Sequence, residues 1–127
     1  MAFVQALAVV ARGAGVHLLV LFGSRARGAA HARSDWDFGF LADGQFDVDL
    51  LRDRFMRILS TDRIDIVDLA KASALLRFRV AVEGTAILEG TSGAFQEFQI
   101  DAARFWCDVE PALRRTYARI LEEVKAA

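Results

Sequence analysis

The apolar run Val16-His17-Leu18-Leu19-Val20-Leu21-Phe22 stops at Gly23-Ser24, and ten residues later Asp35-Trp36-Asp37 opens a second run. Val16 to Phe22 reads as a buried strand, and Ser34 to Leu41 reads as another before Asp43-Gly44 turns the chain. Between them, Arg25 to Ala30 has room for one or two turns of helix. A strand, short helix, strand unit of this kind places a tight turn directly ahead of two carboxylates. Asp35 and Asp37 stand two apart, so on a strand both leave the same face, with Cα atoms about 6–7 Å apart.

The flanking segments supply the rest of one fold. Phe3, Leu7 and Val10 recur at helical spacing, and Gly13 to Gly15 ends that first helix. Val48, Leu51, Phe55 and Ile58 form one apolar stripe, which predicts a helix over Asp47 to Leu59 with Asp47 or Asp49 at its positively polarised start. Arg63 to Leu69 alternates as a third strand, Ser73 caps a helix carrying Leu76 and Val80, and Thr85 to Leu88 suits a short edge strand. From Phe95 to Val124 apolar residues keep helical phase, interrupted by Pro111, the only proline, which predicts either a kinked long helix or a helix pair. The result is a single α/β (α+β) domain over 1–127, with a core over 1–90 and a helical segment over 91–127.

Composition narrows the partners. With Lys+Arg at 16 and Asp+Glu at 17, no overall basic field exists, which disfavours strong nucleic-acid binding. The single cysteine, Cys107, forms no internal disulfide, and no CxxC pair or His-rich cluster offers a soft-metal site, in keeping with the cytoplasm. The apolar stretch Ala2 to Phe22 is broken by Arg12, Gly13, Gly15 and His17, so a membrane span is not expected.

The acids and the turn point to metal-assisted chemistry on phosphates. Two-metal phosphoryl and nucleotidyl transfer uses divalent ions on hard oxygen ligands. Asp65, flanked by Ile64 and Ile66, faces away from both and becomes a third candidate if its strand lies beside Asp35 and Asp37. Gly23 allows close backbone approach to a phosphate, Ser24 offers a hydroxyl, and Arg25, Arg27 and Arg33 supply guanidinium groups for phosphate oxygens. Asp68 reads as a surface or capping residue, His17 as structural, and Arg77 and Arg79 as a solvated helix face. His31 is a lesser candidate for the nucleotide, and Trp36, pointing opposite to the acids, belongs to the core.

Gly23, Ser24, Asp35, Asp37 and Asp65 together resemble the signature of the nucleotidyltransferase superfamily that includes DNA polymerase beta and kanamycin nucleotidyltransferase. Gly23-Ser24-Arg25-Ala26-Arg27-Gly28 through Ser34-Asp35-Trp36-Asp37 is similar to the minimal nucleotidyltransferases of the MntA antitoxin type, over most of residues 1–90. The resemblance implies a mixed sheet of about four strands flanked by helices. It also implies transfer of AMP from ATP, with two Mg²⁺, to a tyrosine of a partner HEPN ribonuclease toxin encoded next door. By position, Asp35 and Asp37 would bind the metals and triphosphate, Asp65 would ligate the catalytic metal and help activate the acceptor hydroxyl, and Gly23 and Ser24 would hold the phosphates. Trp36 and Phe38 are bulkier than the small aliphatics usual beside these acids. Two alternatives stand beside this expectation: an antitoxin that neutralises its partner by binding alone, and a nucleotidyltransferase for a small hydroxylated molecule. The aromatic residues Phe95, Phe98, Phe105, Trp106 and Tyr117 are either sheet cover or a docking surface for a protein acceptor.

Overall fold

A computed structural model describes residues 2–26, 28 and 34–126. In chain order these form α1 (Ala2–Gly13), β1 (Val16–Phe22), β2 (Trp36–Ala42), α2 (Val48–Leu59), β3 (Ile64–Asp68), α3 (Ala74–Glu83), β4 (Thr85–Glu89) and α4 (Ala94–Ala126). The strands make one mixed sheet in the order β3-β2-β1-β4. β1 runs antiparallel to both β2 and β4, whereas β3 lies parallel to β2. The parallel pair needs a crossover, and α2 supplies it.

Strand alternation divides the core between the two faces of the sheet. Phe38 and Phe40 of β2 join Leu7, Leu51, Phe55 and Ile64 under α1 and α2. Leu18, Val20 and Phe22 of β1 join Leu69, Val80, Phe98 and Ala102 under α3 and α4. Caps fall where the sequence places them: Asp47 accepts from the Leu50 amide at 3.1 Å, and Ser73 Oγ accepts from the Leu76 amide at 3.2 Å.

Two expectations are modified and one pair of alternatives is resolved. β2 begins at Trp36 rather than Ser34, because its ladders run out there: Phe22 is the last residue of β1 and pairs with Asp37, while Ile64 opens β3 and pairs with Trp36. Asp35 therefore precedes the strand and is exposed. The expected short helix from Arg25 is replaced, in the described residues, by turns over 24–26 and at Gly28. Arg27, Ala29 and Ala30 lie outside the described residues. At Pro111, α4 continues as one helix. Proline deletes the N–H that would have bonded the Cys107 carbonyl, and Cys107 is exposed, so water can take over that carbonyl.

The second half of α4 stands clear of the domain. All described residues from Pro111 onward are exposed, Tyr117 and Val124 among them at 64% and 66%. By contrast, Gly84 at the end of α3 has almost no room: a Cβ there would lie 2.4 Å from Val20 Cγ1 and 2.4 Å from the Val80 carbonyl oxygen. A backbone oxygen cannot swing aside as a side chain can. Gly84→Ala is expected to destabilise the domain by about 1–3 kcal/mol through overpacking, read as a lowered Tm.

Candidate active site

The parallel pairing of β2 with β3 sets Asp37 directly against Asp65 in register. Both side chains leave the α3/α4 face, since Phe38 and Ile64 fill the opposite one. Asp37 is half-buried and Asp65 is exposed. Burial pushes the Asp37 carboxyl above its ordinary range, and the negative charges of Asp65 and then Asp35 push it further, against an opposing pull from Arg79. The three acids expected to form a site are thus electrostatically coupled at Asp37.

The turn after β1 presses against the same carboxylate. Gly23 is buried, has φ +76°, and would place a Cβ 2.5 Å from Asp37 Oδ2. Only glycine meets both conditions. Its backbone and the half-buried Ser24 are therefore held beside Asp37, where a phosphate on the turn would also meet a cation on the acid.

Two arginines brace the chain on either side of the acids through backbone carbonyls. Arg25 donates from Nε and Nη2 to the Ser34 carbonyl at 3.2 and 2.9 Å, and its guanidinium lies 4.1 Å from the Trp36 ring centroid. These contacts place Arg25 as a clasp on the start of β2, on the ring that faces away from Asp37. Arg52 of α2 donates to the carbonyls of Ile64 and Asp62, each at 3.0 Å, and fixes the start of β3. The Trp36 amide also bonds the Arg63 carbonyl at 2.9 Å. Trp36 itself packs edge-on to Phe3 at 5.8 Å and stacks on Phe38 at 6.1 Å, a core placement as its alternation implies.

Among the remaining candidates, Asp68 Oδ1 accepts from the Ala70 amide at 3.0 Å and caps a turn on the other face of β3. His17 lies 3.4 Å from Asp43, at the end of the sheet remote from Asp37. Arg27, Arg33 and His31 lie outside the described residues. Sequence reasoning missed the field of Arg79 at Asp37 and the brace from Arg52, because each depends on where a helix packs.

For a divalent metal, the donor set fits by chemistry: hard carboxylates, mutually repelling, with Asp37 poorly solvated. Among the described residues, no three His, Cys, Asp or Glu side chains form a preformed metal cage. That is compatible with Mg²⁺, which binds through one or two carboxylates and completes its shell with waters and substrate phosphates. A cavity of about 680 Å³ lies on the opposite face and is lined by Phe40, Phe46, Val48, Ile66 and Lys71 among others.

The charge of Asp37 should therefore cost stability. Its folded pKa is raised, so the charged form is disfavoured in the folded state, and the penalty is full above the folded pKa and absent below the unfolded value of 3.8. Asp37→Asn is expected to raise Tm at neutral pH, with the gain fading as pH falls through the folded pKa towards 3.8. Thermal melts across that range check the sign. A Tm that Mg²⁺ raises in the wild type should also respond less in this variant.

Residues 6–92 match the family described as Polymerase beta, Nucleotidyltransferase. The protein adenylyltransferase MntA of Aphanizomenon flos-aquae (strain 2012/KM1/D3) is 36% identical over an alignment of 95 positions that covers 65% of this chain and 63% of that protein. The match thus spans less than two thirds of the relative's length. A solved toxin–antitoxin structure with AMP-PNP superposes with a TM-score of 0.80 at 23% identity, covering 93% of this chain and 98% of the other. A tri-AMPylated Shewanella oneidensis HEPN toxin in complex with MNT antitoxin provides a further match, with a TM-score of 0.75 at 20% identity, covering 94% and 97%. These superpositions establish a shared fold, the four-stranded mixed sheet with its long C-terminal helix. With the family match over most of the core, the chain belongs to the polymerase beta nucleotidyltransferase family.

Proposed function

We propose that this protein is the antitoxin of a HEPN/MNT toxin–antitoxin pair and acts as a protein adenylyltransferase, moving AMP from ATP to a tyrosine of its HEPN partner. The observation that carries the reading is the Asp37–Asp65 register with Gly23 pressed on Asp37, which puts a phosphate turn and coupled acids at one point. The 36% identity to an adenylyltransferase supports the choice of AMP and of a protein acceptor.

In this mechanism the Gly23-Ser24 turn receives the triphosphate, with Ser24 donating its hydroxyl. Asp35, Asp37 and Asp65 would hold Mg²⁺, which when bound neutralises charge that develops on the phosphates. The tyrosine oxygen attacks the α-phosphorus of ATP and forms a P–O bond. The bond from that phosphorus to the bridging oxygen breaks, and pyrophosphate leaves with the oxygen. Asp65, the most exposed side of the Asp37–Asp65 pair, takes the hydroxyl proton. Arg25 keeps Asp35 and Trp36 in place through Ser34, and Arg25 and Arg27 are assigned to the nucleotide phosphates by their place in the motif. No helix among the described residues is long and apolar enough to cross a membrane, and ATP supply makes the cytoplasm the natural site of reaction.

A protein acceptor needs a docking surface, and the overhanging half of α4 offers one. Leu113, Tyr117, Ile120, Leu121 and Val124 are all exposed and recur at helical spacing. No described element covers them, and a HEPN partner is the occupant this reading assigns. Among the described residues Asp35 and Asp65 are exposed, which suits a tyrosine presented by a protein better than an aminoglycoside-sized substrate gripped on all sides.

Incubation of the protein with ATP, Mg²⁺ and the neighbouring gene product, followed by intact-mass measurement, is expected to show one or more adenylyl increments on the partner. Asp35→Asn and Asp37→Asn should each lower the transfer rate on the order of 10²–10³-fold. If either variant still neutralises the toxin fully, the alternative of an antitoxin acting by binding alone gains the argument. Paired changes Tyr117→Ser and Leu121→Ser are expected to weaken partner affinity about tenfold or more at unchanged Tm, measured by calorimetric titration.

A further inference from the structure

Helix α3 carries a cation to the site from a direction that the motif does not reveal. Val80 is fully buried in the core that contains Val20 and Phe22, and Gly84 lies against Val20 with the Leu21 carbonyl oxygen 3.5 Å from the Cβ position. α3 therefore flanks the end of the strand that delivers Gly23 and Ser24. Arg79 precedes Val80 and turns out of that contact, with its side chain 52% exposed. Its ion pair with Glu83 is long, at 3.8 Å, and lies within one helix turn, so it holds the guanidinium weakly. Its positive charge nonetheless reaches Asp37 across the interface.

The charge balance of the reaction leaves a task for such a group. Two divalent ions on three carboxylates leave about one positive charge, whereas ATP brings about four negative ones, most of them on the β- and γ-phosphates. In the proposed reaction those phosphates would extend from the Gly23-Ser24 turn, which follows the strand end that α3 packs against. Arg25, the nearest motif arginine among the described residues, has its guanidinium on the Ser34 carbonyl and the Trp36 ring.

We propose that Arg79 binds the β- and γ-phosphates of the nucleotide, exchanging its loose contact with Glu83 for the triphosphate and stabilising the pyrophosphate as it leaves. The inference rests on the nucleotidyl-transfer reading and adds a residue from outside the motif to it. A planar guanidinium can take two phosphate oxygens at once, which a lysine cannot reproduce.

Calorimetric titration of the full chain with Mg²⁺·AMP-PNP, Mg²⁺·pyrophosphate and AMP tests it. Arg79→Ala is expected to weaken the first two by about 10- to 100-fold, the range of hydrogen bonds to charged groups, and to leave AMP binding and Tm unchanged. Arg79→Lys should recover part of the loss. Unchanged affinity for Mg²⁺·AMP-PNP in Arg79→Ala would overturn the proposal, as would an equal loss for AMP, which marks general damage to the site. A wild-type chain that binds no Mg²⁺·AMP-PNP would overturn the nucleotidyl-transfer reading along with it, whereas binding by the wild type and Arg79→Ala alike removes Arg79 alone.

Discussion

The half-buried charge of Asp37, set beside Asp65 and Asp35, is the constraint around which this corner of the α3/α4 face of the sheet is built. Burial of that charge opposes folding, and the charges of Asp65 and then Asp35 add to the cost. The fold tolerates them because backbone pairing, not side-chain attraction, fixes their positions. The β2–β3 ladder sets Asp37 beside Asp65, Arg52 fastens the carbonyls of Asp62 and Ile64, and Arg25 fastens the carbonyl of Ser34. On the other face, Phe38, Phe55 and Leu51 supply the apolar burial that holds β2 in place. Strain concentrated at a site and offset by its surroundings is a common physical signature of function.

Much of this was legible in the residues. Alternation about Ile64 and Ile66 turned Asp65 to the acid face, and alternation about Trp36 put its ring in the core. Ser73 and Asp47 announced their helices through capping chemistry that is local in sequence. What was not legible depends on distance in space. The parallel partnership of β2 and β3 is a crossover outcome, and the start of β2 was set by where its neighbours end, so Asp35 fell just outside the strand. The bond of Arg25 to the Ser34 carbonyl was not legible either, because that partner is nine residues on. Arg79 read as solvated because its helix face is exposed, and only the packing of Val80 in the core beside Val20 brings its charge to Asp37.

The same geometry separates binding from chemistry. The elements that create the site, β1, β2, β3 and the flanking helices α2 and α3, lie within the segment that matches the family, residues 6–92. Most of α4 lies beyond it, and only its first turns, through Phe98 and Ala102, contribute to the core. In the proposed function, substitutions on the later turns would alter recognition without disturbing the acids, and substitutions near Asp37 would alter reactivity without disturbing recognition.

From Pro111 to Ala126 all 16 residues of the helix are exposed, a length of about 24 Å at the rise of an α-helix. A rigid rod of that length works as a ruler. In the proposed function, a partner held along it would stand at a set distance from Asp37, and the acceptor would be the hydroxyl that the rod brings within reach.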